Sequence, residues 1–157
     1  SECLVGSEMC IRDRDMYDAV TEEAKNSDII IKAAAVADYT PLNVSDNKIK
    51  KKDGDMSIAL KRTKDIIGTL GEHKKEGQFI CGFSMETENV IANSKDKLIK
   101  KNMDMIVANN VKVAGAGFGT DTNVVTIITG EDNIELPMMS KEDVASKILD
   151  FIMAKRR

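Results

Sequence analysis

No run of apolar residues in this chain approaches the roughly 20 that a membrane-spanning helix needs, so a membrane-spanning role is not expected. The first residues mix Glu2, Gly6, Ser7 and Glu8 where a signal peptide has a charged start and an apolar core, which makes a cytoplasmic location the expectation. Three cysteines, Cys3, Cys10 and Cys81, are odd in number and lack metal-ligand spacing, which argues against a disulfide framework and a zinc site. Cys81 lies in an apolar segment and reads as a small core residue. Histidine occurs once, as His73, in a polar helix end where it is expected to be exposed. Aromatic residues are scarce, with four Phe and two Tyr, and the nine Met show no stripe order and read as core filler. Basic charge is not in excess either. A net charge of −3 argues against a dedicated nucleic-acid binder, so a local lysine cluster serves something small or faces water. There is no internal repeat and no low-complexity linker.

What is present fits one globular domain: 157 residues, 42% hydrophobic and 31% charged, are enough to bury a core. Met16–Lys25 has the spacing of a short amphipathic helix, with Met16, Ala19, Val20 and Ala24 on one side. Met56–Lys61 alternates in strand fashion, Thr63 is placed to cap a helix running to about Lys75, and Gly77 supplies the break. Gln78–Phe83 is an apolar strand, Glu88–Asn102 a lysine-rich helix and Met105–Ala108 a further strand. Val124–Thr129 and Ile134–Met138 suit a hairpin, and Ser140 with Asp143 resembles a capping box for a final helix through Lys155. Strands alternating with helices imply an α/β fold with a mostly parallel sheet and right-handed crossovers.

The most informative stretch runs from Asp28 to Lys52. Ile29–Ala37 reads as a strand covered on both faces, with alanines leaving room beside the backbone. It opens onto Asp38-Tyr39-Thr40-Pro41 and then onto Lys48, Lys50, Lys51 and Lys52. Ligands of open α/β sheets sit past the carboxyl ends of strands, and a carboxylate followed by lysines there suits a polyanion with its metal ion. The plain alternative is a solvated lysine loop.

Five motifs in order, AAAVADYTP, NKIKK, GFSMET (Gly82–Thr87), VANNV (Val107–Val111) and GFGTDTN (Gly117–Asn123), resemble phosphopantothenoylcysteine synthetase, the synthetase half of the bacterial bifunctional flavoprotein of coenzyme A biosynthesis. The resemblance covers residues 15–157 and implies a Rossmann-like three-layer domain. Residues 1–14 are unlike the family and are expected to be a foreign leader on a truncated gene. The family's glycine-rich strand-turn-helix and its Asn-x-Ser-Ser-Gly segment do not occur in this sequence, from which weak nucleotide binding and little turnover are expected. Family members activate 4′-phosphopantothenate with CTP, releasing pyrophosphate, and the amine of L-cysteine then displaces CMP from the acyl-cytidylate. The resemblance also implies Mg2+, a homodimer whose subunits share the site, and FMN only in the decarboxylase half, which is not part of these residues.

Residue by residue, Lys48 falls on the first lysine of the family's KIKK motif, implied to be phosphate-contacting and catalytic. Lys50, Lys51 and Lys52 carry no such role and are expected on the solvated surface. Asp38 matches the acidic residue of the nucleotide site, where it could serve the ribose, the cytosine or a water-bridged Mg2+; its simpler role is to form a turn. Ala33 and Ala34 match small residues whose backbone lies against the nucleotide. Lys64, Asp65, Ile66 and Ile67 match a nucleotide-contacting tetrapeptide at a helix start, where Asp65 could equally just offset the helix dipole. Phe83 matches an aromatic at the nucleotide, although a Phe ending a strand is ordinarily core. Lys97 and Lys101, four apart on one helix side, match the family's two nucleotide lysines, with Lys95 and Lys100 expected to face solvent. Asn109 takes the family's strand-end Ala-Asn position, and Asn110 stands where many relatives carry Asp. Two rivals accompany the CTP-dependent ligase: a non-catalytic nucleotide-binding or dimerisation module derived from it, and a nicotinamide enzyme. The glycines at 115, 117 and 119 are too closely spaced for the dinucleotide fingerprint that the last would need.

Overall fold

A computed structural model describes residues 13–45, 47–50, 54–85, 89–110, 113 and 119–156. In chain order the elements are helix α1 (Asp13–Glu23) with a 3-10 turn (Ala24–Asn26), strands β1 (Ile29–Lys32), β2 (Tyr39–Pro41) and β3 (Leu60–Arg62), helix α2 (Ile66–Glu72), strand β4 (Phe79–Met85), helix α3 (Val90–Lys100), strands β5 (Met105–Asn109), β6 (Thr122–Asn123), β7 (Val125–Ile128), β8 (Asn133–Glu135) and β9 (Met139–Ser140), and helix α4 (Lys141–Lys155).

The main sheet has the order β1-β4-β5-β7-β8. β1, β4 and β5 are parallel, with Ile29 opposite Phe79 and Cys81 opposite Met105, and the hairpin β7–β8 adds two antiparallel strands. The α/β expectation and its C-terminal hairpin and helix therefore hold.

Alternation along the central strands divides the core into two layers, because successive strand side chains point to opposite faces. Phe79, Cys81, Met105, Val107, Val125 and Ile127 face α4, where they meet Val144, Ile148 and Ile152. Ile80 and Ile106 point the other way, against Ile66, Ile67 and Leu70 of α2, Leu98 of α3 and Met103, with Met16, Tyr17 and Val20 of α1 packed at the margin. At the amino ends of the strands, the Asp104 carboxylate accepts the Ile80 amide at 2.7 Å and holds Lys74 at 2.6 Å.

The structure corrects four expectations. First, β1 stops at Lys32, and Ala33–Ala35 are exposed beyond it. Alanine has weak strand preference and little apolar area to hold it in a sheet. Among the described strands β1 pairs only with β4, so it is an edge strand; Ile29 and Ile30 pack on opposite faces of the sheet, but each is only partly buried and Ile31 is 39% exposed. Second, Tyr39–Pro41, read as part of the loop that follows the strand, is one strand of a separate antiparallel pair with β3. Third, the expected strand at Met56–Lys61 is confined to Leu60–Arg62. Fourth, Asp65 and not Thr63 caps α2, accepting the Gly68 amide at 3.1 Å, while the Thr63 hydroxyl donates to the Ala37 carbonyl at 2.7 Å. Thr63 lies at the base of the β2–β3 pair, whose geometry takes its hydroxyl before the helix begins. Ser140 caps α4 as expected, its Oγ accepting the Asp143 amide at 3.0 Å, and the hydroxyl donates to the Asp143 carboxylate at 2.6 Å.

α2 and the end of α3 meet at Gly71. A Cβ there would lie 1.9 Å from the Lys101 carbonyl oxygen, and the Asn102 amide donates to the Gly71 carbonyl at 2.9 Å. Backbone cannot yield as a side-chain tip can, so Gly71→Ala is expected to cost about 1–3 kcal/mol of stability in urea unfolding. An unchanged midpoint would contradict the contact. Cys81 is fully buried, and burial first, then the Asp104 charge, pushes its thiol up to about 12. In the folded protein at pH 8, Cys81 is therefore expected to resist alkylation until the chain unfolds, as peptide mapping after iodoacetamide would show.

Candidate functional site

At the carboxyl ends of β1 and β4 a cleft of about 500 Å³ opens on the α2–α3 face of the sheet. Its floor is Gly82, Ile67, Met103 and Ile106. Gly82 has no side chain because a Cβ would come within 2.9 Å of both Ile67 Cδ1 and Met103 Sδ. The start of α2 forms one wall, the last turn of α3 a second, and the segment Val36–Tyr39 a third. This is the ligand position expected for strands that end side by side in an open α/β sheet.

Charge distinguishes the cleft. Lys32, Arg62, Lys64, Lys97, Lys100 and Lys101 contribute to its lining, against the carboxylates of Asp38 and Asp65. Asp65 caps α2 and also binds Lys101, with Nζ 2.9 Å from Oδ2 and 3.2 Å from Oδ1. Partial burial alone would raise the Asp65 pKa, but the Lys101 hydrogen bond, the Gly68 amide and the Lys101 and Lys32 charges together hold it below its ordinary value. The helix-start residues thus carry their own counter-charge, which is the dipole-offsetting role for Asp65. Asp38 is fixed through its backbone, its carbonyl accepting the Thr63 amide at 3.0 Å. Lys64 holds its ammonium over the Tyr17 ring, 4.1 Å from the centroid, tying α1 to the rim.

Of the residues singled out in the sequence, Asp38, Lys64, Asp65, Ile66, Ile67, Phe83, Lys97 and Lys101 are brought together here. Phe83 is 40% exposed, so it is a cleft residue and not core. Ala33 and Ala34 lie at the rim outside the lining, where the Ala34 carbonyl accepts the Lys32 ammonium at 3.0 Å. Lys48 is exposed in the segment between β2 and β3 and does not line the cleft. Lys51, Lys52 and most of Ser1–Arg14 lie outside the described residues, as do the glycines at 115 and 117. Lys100, expected to face solvent alone, contributes to the lining, because the last turn of α3 and its C-cap present 97, 100 and 101 to the same opening. Lys32 and Arg62 were given no role by the sequence reading. Lys32 did leave a signal, as the one charge within the apolar run Ile29–Ala37. Asn109, at the end of β5, keeps a buried Oδ1 that meets no hydrogen-bond partner among the described residues, and His73 is exposed as expected.

Residues 10–155 match the family described as the DNA/pantothenate metabolism flavoprotein C-terminal domain. The chain belongs to this family. Over 141 residues, 89% of this chain, it is 53% identical to the coenzyme A biosynthesis bifunctional protein CoaBC of Bacillus subtilis (strain 168), of which that stretch is 34%. It is also 46% identical over 140 residues, 88% of this chain and 39% of the relative, to a cysteine/cysteine sulfinic acid decarboxylase from an unknown prokaryotic organism. The crystal structure of the C-terminal domain of a CoaBC protein superposes with a TM-score of 0.72 at 43% identity, covering 90% of this chain and 63% of that one. The chain therefore spans about a third of the length of the curated relatives it matches.

A carboxylate with a lowered pKa adds stability above its ordinary value of 3.8, and that stability is lost as pH falls through the lowered value. Asn still caps a helix but cannot form the ion pair with Lys101. Asp65→Asn is therefore expected to be less stable than the parent at pH 7 and equal to it well below pH 3.8, where both side chains are neutral. Urea unfolding at several pH values measures the difference; a constant gap across the range would contradict the ion pair.

Proposed function

We propose that this chain is the synthetase domain of coenzyme A biosynthesis, joining 4′-phosphopantothenate to L-cysteine at the expense of CTP. The observation that carries this reading is the cleft itself: six cationic side chains face two carboxylates at the carboxyl ends of parallel strands, in a family whose relatives include CoaBC. A triphosphate requires such neutralisation, and an activating enzyme must hold it while the α-phosphorus is attacked in line. The substrate carboxylate would attack that phosphorus, expelling pyrophosphate. The cysteine amine would then attack the acyl carbon, expelling CMP and passing its proton to solvent.

In this reading Lys97 and Lys101 bind the triphosphate and Phe83 lies against the nucleotide. Ala33 and Ala34 at the rim line its approach, and Lys48 would swing in from the β2–β3 connection to stabilise charge at the α-phosphate. Among the described residues no cluster of three acidic, His or Cys side chains could cage a metal. Asp38 suits Mg2+ carried in by the nucleotide, since that ion keeps waters and takes one or two carboxylates together with phosphate oxygens. The homodimer and cytoplasmic location belong to the same reading. No described helix is long and apolar enough to cross a membrane. Around the β2–β3 pair, Tyr39, Leu42, Val44, Ile49, Met56 and Ile58 are each at least half exposed, an apolar surface suited to a second copy of the chain.

A second reading, a non-catalytic nucleotide-binding or dimerisation module, is favoured by the position of Lys48 outside the cleft lining. Pyrophosphate release with CTP, Mg2+, 4′-phosphopantothenate and cysteine separates the two. The ligase reading expects release that requires CTP and 4′-phosphopantothenate, continues beyond one turnover only with cysteine, and falls at least about tenfold in Lys48→Ala. CTP binding without release supports a nucleotide-binding module, and absence of CTP binding contradicts the ligase and leaves dimerisation alone. Sedimentation equilibrium is expected to show a dimer that Ile58→Asp weakens; a monomer at all concentrations would contradict the shared-site arrangement.

A further inference from the structure

Lys32 is the last residue of β1 and stands in register with Gly82, so no side chain on the neighbouring strand covers it where it enters the cleft. It is half-buried, yet among the described residues its one hydrogen bond goes to the Ala34 carbonyl at 3.0 Å. An ammonium carries three donors, so two remain for a ligand. Neither cleft carboxylate is in direct contact with it: Asp65 is taken up by Lys101 and the Gly68 amide. Burial, and then the like charge of Lys101, lower the Lys32 pKa, while Asp65 and Asp38 act from a distance in the opposite sense. A half-buried cation with no carboxylate of the described residues in direct contact carries a desolvation cost, and an anion with several acceptor oxygens relieves it.

We infer that Lys32 is a phosphate-contacting residue of this cleft, closing with Lys101 on one phosphate group from the β1 and α3 sides. Resting on the nucleotide reading above, it assigns to the polyphosphate a contact on the β1 side of the sheet. Each lysine can offer charge-assisted hydrogen bonds to a different phosphate oxygen, and both line the same cleft.

Calorimetric titration with inorganic tripolyphosphate and, separately, with CTP, each with Mg2+, tests the contact in the parent chain and in Lys32→Gln, Lys32→Met and Lys32→Arg, all checked by thermal melts. Two neutral variants are used so that poor folding of one does not decide the result. The expected outcome is a loss of about tenfold or more in affinity for both probes in the neutral variants, with most of it restored by Arg. CTP binding unchanged in a folded neutral variant would overturn the Lys32 contact and leave the nucleotide reading standing. Tripolyphosphate binding that depends on Lys32, with CTP no tighter, would support the contact and contradict the nucleotide reading. Failure of the folded parent to bind either probe would overturn both.

Discussion

The cleft depends on how closely α2 approaches the end of α3. Gly71 admits the Lys101 carbonyl where any other residue would place a Cβ at 1.9 Å, and Asn102, at φ 48°, returns a hydrogen bond to the Gly71 carbonyl. That approach brings the two helices together just past the sheet. It also delivers the Lys101 ammonium to Asp65, the residue that caps α2, so one carboxylate joins a helix start to a helix end. Solvent-exposed ion pairs contribute little, typically below about 1 kcal/mol. The rigidity comes from the backbone contact and from Ile66, Ile67 and Leu70 packed against Ile80, Leu98 and Ile106; the ion pair chooses where Lys101 points.

The sheet supplies the other half of the design. With strand side chains alternating, Phe79, Cys81, Met105 and Val107 of β4 and β5 are committed to α4, and Ile80 and Ile106 to α2 and α3. Toward the carboxyl ends the α2–α3 side gives way to Gly82, where a cleft opens above Ile67 and Met103. Packing in the middle of the strands and vacancy at their ends are thus properties of the same alternation. At the opposite end of the sheet the Asp104–Lys74 pair and the Ile80 amide close the structure.

Much of this was legible in the sequence. Apolar runs at Gln78–Phe83 and Met105–Ala108 located the central strands to within two residues, because fully buried strands leave little freedom in composition. Ser140 and Asp143 marked the start of α4 for the same local reason. The edges were harder. Ile29–Ala37 looks like one long buried strand, but the alanines carry too little surface to keep the second half in the sheet. Thr63 and Asp65 are both good caps, and only the β2–β3 pairing, which claims the Thr63 hydroxyl, decides between them. At the site, the family motifs located eight cleft residues, whereas Lys32, Arg62 and Lys100 enter through register and helix phase that no motif states.

On the proposed reading, the α2–α3 cleft, and no other surface, receives a nucleotide polyphosphate. Backbone amide NMR spectra recorded during addition of CTP with Mg2+ test it most directly. The account predicts shifts concentrated at Asp65–Ile67, Gly82–Ser84 and Lys97–Lys101. Shifts confined to the separate groove between α1 and α2, around Thr21, Leu70 and His73, or no shifts in a folded protein, would contradict it.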